Sequence, residues 1–178
     1  MPYAAEIEFS HSTTVPYEDE LIVAGKAWRI GKYFVAVPIS GYCSIVFKTP
    51  AEAKTLYKAA SIGKTGGEHL ITLIEAARIG GSGGATLTPF QLNRNKLDLV
   101  CRLLDITAGD NNAQTVVGDF ETPPDYLSGE NQGSQRSADK ATSSFIYLKP
   151  DTVYAIKVQN LGTTVSNINL LMTIGVDV

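Results

Sequence analysis

The sequence predicts an all-β protein, and three observations predict it. Apolar and polar residues alternate with period two in several runs, the runs are short, and Gly, Pro or Ser bounds most of them. The first twenty residues stand apart. They hold two prolines and no clear amphipathic run beyond "EIEF", so residues 1–20 are expected to form an N-terminal arm and residues 21–178 the β domain.

Within that domain "KYFVAVPI" and "SIVFKT" are apolar and strand-sized. The next segment is ambiguous. Thr49, Pro50 and Glu52 form a capping-box pattern, with Ala53, Leu56, Tyr57 and Ala60 at helical spacing, yet Lys54, Leu56, Lys58 and Ala60 also alternate with Thr55, Tyr57 and Ala59. Local rules slightly favour a helix there. "HLITLIEAARI" is a further strand candidate. In "LDLVCRLLDI", Leu97, Leu99, Cys101 and Leu103 point one way while Asp98, Val100 and Arg102 point the other. From Thr107 to Ser144 the chain is polar, broken only at Val116, Val117 and Phe120, and is expected to be a long protruding excursion. "TVYAIKVQN" places Tyr154, Ile156 and Val158 on one face. The last run alternates Leu170, Met172, Ile174, Val176 and Val178 with Leu171, Thr173, Gly175 and Asp177.

The 178 residues suit a single domain with a sizeable core, and the net charge of −3 gives no electrostatic footprint for nucleic acid. No apolar run is long enough for a membrane helix, and "MPYAAEIEFSHS" lacks the basic and apolar regions of a signal peptide. The expectation is a soluble protein made in a cytoplasm, with no nucleic-acid or membrane partner. Cys43 and Cys101 lie in apolar runs and read as small buried hydrophobes; neither has a histidine at metal-ligand spacing.

Chemical motifs fail one by one. "GKT" at residues 63–65 ends like a phosphate-binding loop, but the required first glycine is Lys58, so a strand-connecting turn is expected. "GKAWRIGK" is one residue too long, and Tyr33 occupies the hydroxyl position. His11 and His69 sit in no nucleophile context. Asp105, Asp110, Asp119 and Glu121 do not follow a calcium-loop spacing and read as a solvated loop. No catalytic residue, cofactor site or metal site is assigned.

"GGSGGATLTPFQLNRN" reads instead as a rigid corner. Gly80, Gly81 and Gly84 permit a tight turn, and Pro89 favours an extended continuation. Asn93 and Asn95 can bond nearby backbone, and Arg94 offers planar donors for carbonyls or a carboxylate.

The order of these pieces resembles a family of small tailed-bacteriophage virion proteins, over Gly25 to Val178. Those proteins show a Gly-Gly turn, a Thr-Pro-aromatic step into Asn-Arg-Asn, then Leu-Lys-Pro with Thr-x-Tyr. Here these are Gly80-Gly81, Thr88-Pro89-Phe90 leading to Asn93-Arg94-Asn95, Leu148-Lys149-Pro150, and Thr152 with Tyr154. Lys96 and Leu97 replace the family's serine-rich continuation. The resemblance implies a jelly-roll-like β-sandwich, with residues 53–62 as a strand, and a capsid decoration or cement protein on the phage head. The hypothesis built on it is a protein that binds the major capsid protein of assembled shells as a homotrimer, closed symmetry matching a three-fold site, on virions made in a bacterial host. The arm residues Tyr3, Ile7, Phe9 and Tyr17 are the expected partner contacts. The alternative is a receptor- or carbohydrate-binding module of a tail or fibre, with Tyr126 in the excursion as a binding feature.

Overall fold

The structure is a computed structural model that describes residues 17–64, 67–81, 84–96, 99–110, 115–118, 120–121, 125–127 and 146–177. After a helix α1 (Tyr17–Val23) come β1 (Ala27–Val37), β2 (Tyr42–Lys48), β3 (Lys54–Lys64), β4 (His69–Glu75), β5 (Arg78–Gly80), β6 (Ala85–Thr86) and β7 (Phe90–Gln91). The chain continues through β8 (Leu104–Asp110), β9 (Thr115–Val117), β10 (Phe120–Glu121), β11 (Asp125–Leu127), β12 (Ile146–Leu148), β13 (Val153–Asn160) and β14 (Ser166–Asp177).

These strands form an all-β sandwich with jelly-roll order. One sheet runs β12-β3-β14-β1-β7; the other runs β10-β4-β13-β2-β8-β6, with β11 also on β4. Setting aside the short additions, β1, β14, β3 and β12 face β2, β13, β4 and β11. The connections β1 to β2, β2 to β3, β3 to β4, β11 to β12, β12 to β13 and β13 to β14 therefore all cross between sheets. The stretch from β5 to β9 adds strands to both sheets on one side: β7 pairs with β1, and β8 followed by β6 extends from β2.

The core follows from alternation. On β14, Ile168, Leu170, Met172, Ile174 and Val176 all point inward, and on β13 so do Tyr154, Ile156 and Val158. Each fully buried side chain of this size contributes about 1.5 to 3 kcal/mol relative to leaving it in water. Strand β2 lacks alternation because both its faces are covered. Cys43, Ile45 and Phe47 enter the main core, while Val46 joins Ile74, Ala77, Val116 and Ala155 in a second cluster on the outer side. The β5–β9 ribbon borders that cluster, with Val116 paired to Ile79.

Four sequence expectations are revised. Residues 99–103 are not strand: β8 starts at Leu104, opposite Lys48, because its partner β2 ends there and Thr49-Pro50 leads the chain away. The polar excursion is partly sheet, since its start lies in β8 and β9, β10 and β11 follow; residues 128–145 lie outside the described residues. Gly63 and Lys64 end β3, paired with Asn169 and Ile168, rather than forming a turn; Thr65 lies outside the described residues.

The fourth concerns the arm, because α1 crosses the expected boundary at residue 20. Acidic Asp19 and Glu20 suit the positive end of a helix, and Leu21 is buried against Ala27, Ile22 and Leu92. Gly25 ends the helix at φ +74°, with its N–H donating to Ile22 O and that of Lys26 to Leu21 O, a Schellman closure. The segment 53–62 is a strand from Lys54 on, as the resemblance implied, and its long pairing with β14 overrides the local helix signal.

Candidate functional site

The glycine-rich corner builds one wall of a surface cleft. Gly81 turns at φ +98°, and Gly84 passes so close over β8 that an added Cβ would lie 2.4 Å from the Ala108 carbonyl oxygen. Only glycine fits there. The chain then pairs briefly with β8 as β6, runs through Leu87, Thr88 and Pro89, and pairs with Arg29 and Trp28 of β1 as β7. It has crossed from the edge of one sheet to the edge of the other.

Asparagine fixes the end of this crossing. Asn93 Nδ2 donates to Val23 O at 2.8 Å, and Asn93 Oδ1 accepts from the Asn95 N–H at 3.0 Å. The Lys96 N–H donates to Asn93 O at 3.1 Å. Arg94 does not perform the expected bonding. It is exposed, its guanidinium lies 5.2 Å from the centre of the Phe90 ring, and among the described residues it bonds no carbonyl or carboxylate.

Residues 99–107 form the opposite wall, and Trp28, Leu103 and Ile106 lie deep between the two. The cleft holds about 700 Å³, the size of a site for a small ligand or a few side chains. Phe90 is 51 % exposed at its mouth, and Val100 is 81 % exposed. Gln91 is buried, with Nε2 donating to Gly25 O at 2.8 Å, while its Oε1 is buried without a donor among the described residues.

Among the described residues, both thiols and the one histidine are largely or fully buried. Burial pushes the Cys43 thiol up to about 12, with Asp110 adding to the effect, and pushes Cys101 up to about 11. Neither is a thiolate at neutral pH. No sequence motif hints at a Ser–His contact, yet His69 Nε2 lies 2.9 Å from Ser166 Oγ and Nδ1 lies 3.2 Å from Gly67 O. A carbonyl can only accept, so Nδ1 carries a proton and donates to Gly67 O. His69 is 0 % and Ser166 1 % exposed, so no substrate reaches the pair.

That pair belongs to a loop junction. Asn160, fully buried, donates through Nδ2 to Val37 O, Pro38 O and Thr164 O, and accepts from the Gly162 N–H at 3.0 Å. One side chain thus ties the β1–β2 loop to the β13–β14 loop.

The other expected site residues are scattered. Tyr3, Ile7 and Phe9 lie outside the described residues, Tyr17 opens α1, and Tyr126 pairs in β11 with Leu70 of β4. Asp105 is exposed on β8 at φ +50°, Asp110 pairs with Cys43, Glu121 pairs with Ile74, and Asp119 lies outside the described residues. No group of three or more His, Cys, Asp or Glu that could hold a metal occurs among the described residues. Among them, too, no helix is long and apolar enough to cross a membrane.

Fold and cleft together define a jelly-roll β-sandwich with an open apolar cleft at one pair of sheet edges. Comparisons of the chain with protein-family models, with curated proteins and with solved structures return no match.

Proposed function

We propose that the protein is a structural component of a tailed-bacteriophage virion, a decoration or cement protein that binds the assembled head. The observation that carries this reading is the jelly-roll strand order together with the posts that the resembling residues occupy. The Asn93-Arg94-Asn95 step closes the crossing between the sheets, and the Lys149-Pro150…Tyr154 step locks the turn between β12 and β13. Both steps act as fixed corners of a rigid scaffold, which suits a protein that presents loops and edges to neighbours rather than one that turns over a substrate. On this reading it contacts the major capsid protein as a homotrimer, because closed symmetry at a three-fold site lets one surface serve three copies.

A second reading, a receptor- or carbohydrate-binding module of a tail or fibre, is favoured by the exposed Phe90 ring at the mouth of the cleft. One experiment separates the two. Copies of the protein are counted on purified particles: hundreds support decoration of the head, and a few at one vertex support the tail.

A further inference from the structure

We infer that the tip where the β1–β2 and β13–β14 loops meet is the face that docks on the assembled shell, with Val35, Ile39, Leu161 and Val165 entering an uncharged, apolar recess of the major capsid protein. This rests on the head-decoration reading and adds to it the contact surface and its chemistry.

Hydrogen bonds bring the two loops to one tip. The Ser40 N–H donates to Asn160 O and the Asn160 N–H to Gly41 O, both at 2.9 Å, while Asn160 Nδ2 donates to Pro38 O and Thr164 O. Ile39, flanked by Pro38 and Ser40, is thereby brought to the same end as Leu161 and Val165, the residues that follow Asn160 and Thr164. Val35, Ile39 and Val165 are more than half exposed, and Leu161 is 39 % exposed. Large apolar side chains gathered on the surface mark an interaction site.

The backbone of this tip is already satisfied from within. Asn160 covers Val37 O, Pro38 O, Thr164 O and the Gly162 N–H; the Ala36 N–H donates to Asn167 Oδ1 at 2.9 Å, and Ser40 O accepts from Gln159 Nε2 at 3.2 Å. The Leu161 N–H donates to Glu68 O at 2.8 Å. A partner can therefore exclude water here without stranding these groups. Ala36 at φ +57° and Ser40 at φ +61° hold a left-handed backbone that is uncommon for residues with a Cβ, so the surrounding bonds fix one loop shape. A fixed loop loses little conformational freedom when it docks.

Charge decides what the occupant is. The chain has 15 Lys and Arg and 18 Asp and Glu, yet residues 33–47 and 158–176, which supply both loops, contain none of them. Glu68 is exposed at the border. A charge on the partner, desolvated against this tip, would be left unpaired at high cost, so the complementary surface is itself uncharged. With no Lys or Arg in either run to hold headgroup phosphates, a protein surface is favoured over a membrane.

The full chain is sedimented with purified shells that lack it, in low and high salt. Beside it run Ile39→Glu, Val165→Glu, the neutral double variant Ile39→Ser, Val165→Ser, and Val100→Glu as a control at the cleft. All these positions are exposed, and thermal unfolding checks that each variant is folded. The parent should bind as tightly in high salt as in low salt, because no charge is screened. Ile39→Glu and Val165→Glu should each weaken binding about tenfold or more, the neutral double variant less, and Val100→Glu not at all. A parent that binds the shells while the tip variants bind equally well, or whose binding falls away with salt, overturns this inference and leaves the head-decoration reading standing. A parent that does not bind the shells overturns both. Flotation of the parent, but not of Ile39→Glu, with phosphatidylcholine vesicles also overturns the inference, as does an oligomer in solution that Ile39→Glu dissociates, because the occupant is then a lipid surface or a second copy.

Discussion

The backbone N–H of Lys149 donates to the hydroxyl oxygen of Tyr154 at 2.9 Å, and that hydroxyl in turn donates to Glu75 Oε2 at 3.2 Å. Lys149 Nζ returns to the other oxygen of the same carboxylate, so one tyrosine ties the β12–β13 turn to β4. Thr49 closes the opposite side of the turn, its hydroxyl bonding Lys149 O at 2.7 Å and accepting from the Thr152 N–H at 3.0 Å. The Lys-Pro…Tyr spacing therefore has a structural cause. Its ring also stacks on Phe47 in the core, at 6.0 Å between centres.

Tyr154→Phe keeps that stacking and deletes only the hydroxyl. The expected loss is about 1 to 3 kcal/mol, because the Lys149 N–H and Glu75 each lose a partner in a partly buried site. Urea unfolding measures it. A variant as stable as the parent contradicts the lock.

Asn93→Ala and Arg94→Ala should separate the two residues of the corner. Asn93 holds Val23 O and the Asn95 N–H, so its removal should cost about 1 kcal/mol or more. Arg94 makes an exposed ring contact, and its loss should cost about 0.5 to 1 kcal/mol at most. Equal or reversed losses in thermal unfolding contradict this division.

Gly84→Ala places a methyl group against the Ala108 backbone, and Gly162→Ala places one 2.8 Å from Gly67 Cα. Backbone cannot rotate aside as a flexible side chain can. Each substitution should destabilise by about 1 to 3 kcal/mol, the usual range for overpacking. Gly80→Ala, at an exposed position away from these crossings, serves as the control in the same unfolding series.

The thiols set a pH dependence whose sign follows from burial. Folding raises Cys43 from 9.0 to about 12 and Cys101 from 9.0 to about 11, so the folded chain holds those protons more tightly than the unfolded one. Their stabilising effect is complete below pH 9 and is lost as the pH rises toward 12. Unfolding midpoints from pH 8 to 10.5 should fall less steeply in the Cys43→Val, Cys101→Val double variant. At pH 8 a thiol reagent should label the native protein far more slowly than the urea-unfolded one.

The strands that were legible in the sequence are those with one covered face. Tyr154, Ile156 and Val158 alternate with their neighbours, and so do Leu170 to Val176, because solvent or a partial cover lies on the other side. Strand β2 reads as a plain apolar run since both faces are buried. The alternation of Leu97 to Leu103 misled, because consecutive Leu99, Val100 and Cys101 all line the cleft and residues 99–103 join no ladder. Helix α1 was missed because it is only seven residues long and, among its described side chains, Leu21 and Ile22 alone pack inward. The glycine corner was legible, but the cleft was not, since Trp28, Phe90 and Ile106 meet only through the sheet topology. The His69–Ser166 pair joins residues 97 apart in sequence, which no local motif encodes.

The proposed place of the protein on a phage head is tested most directly by sedimenting it with purified, assembled shells that lack it. Decoration predicts saturable binding at a fixed ratio to the major capsid protein, with three copies at each three-fold position and no comparable binding to unassembled subunits. Absence of binding to the shells, or a few copies confined to one vertex, contradicts it.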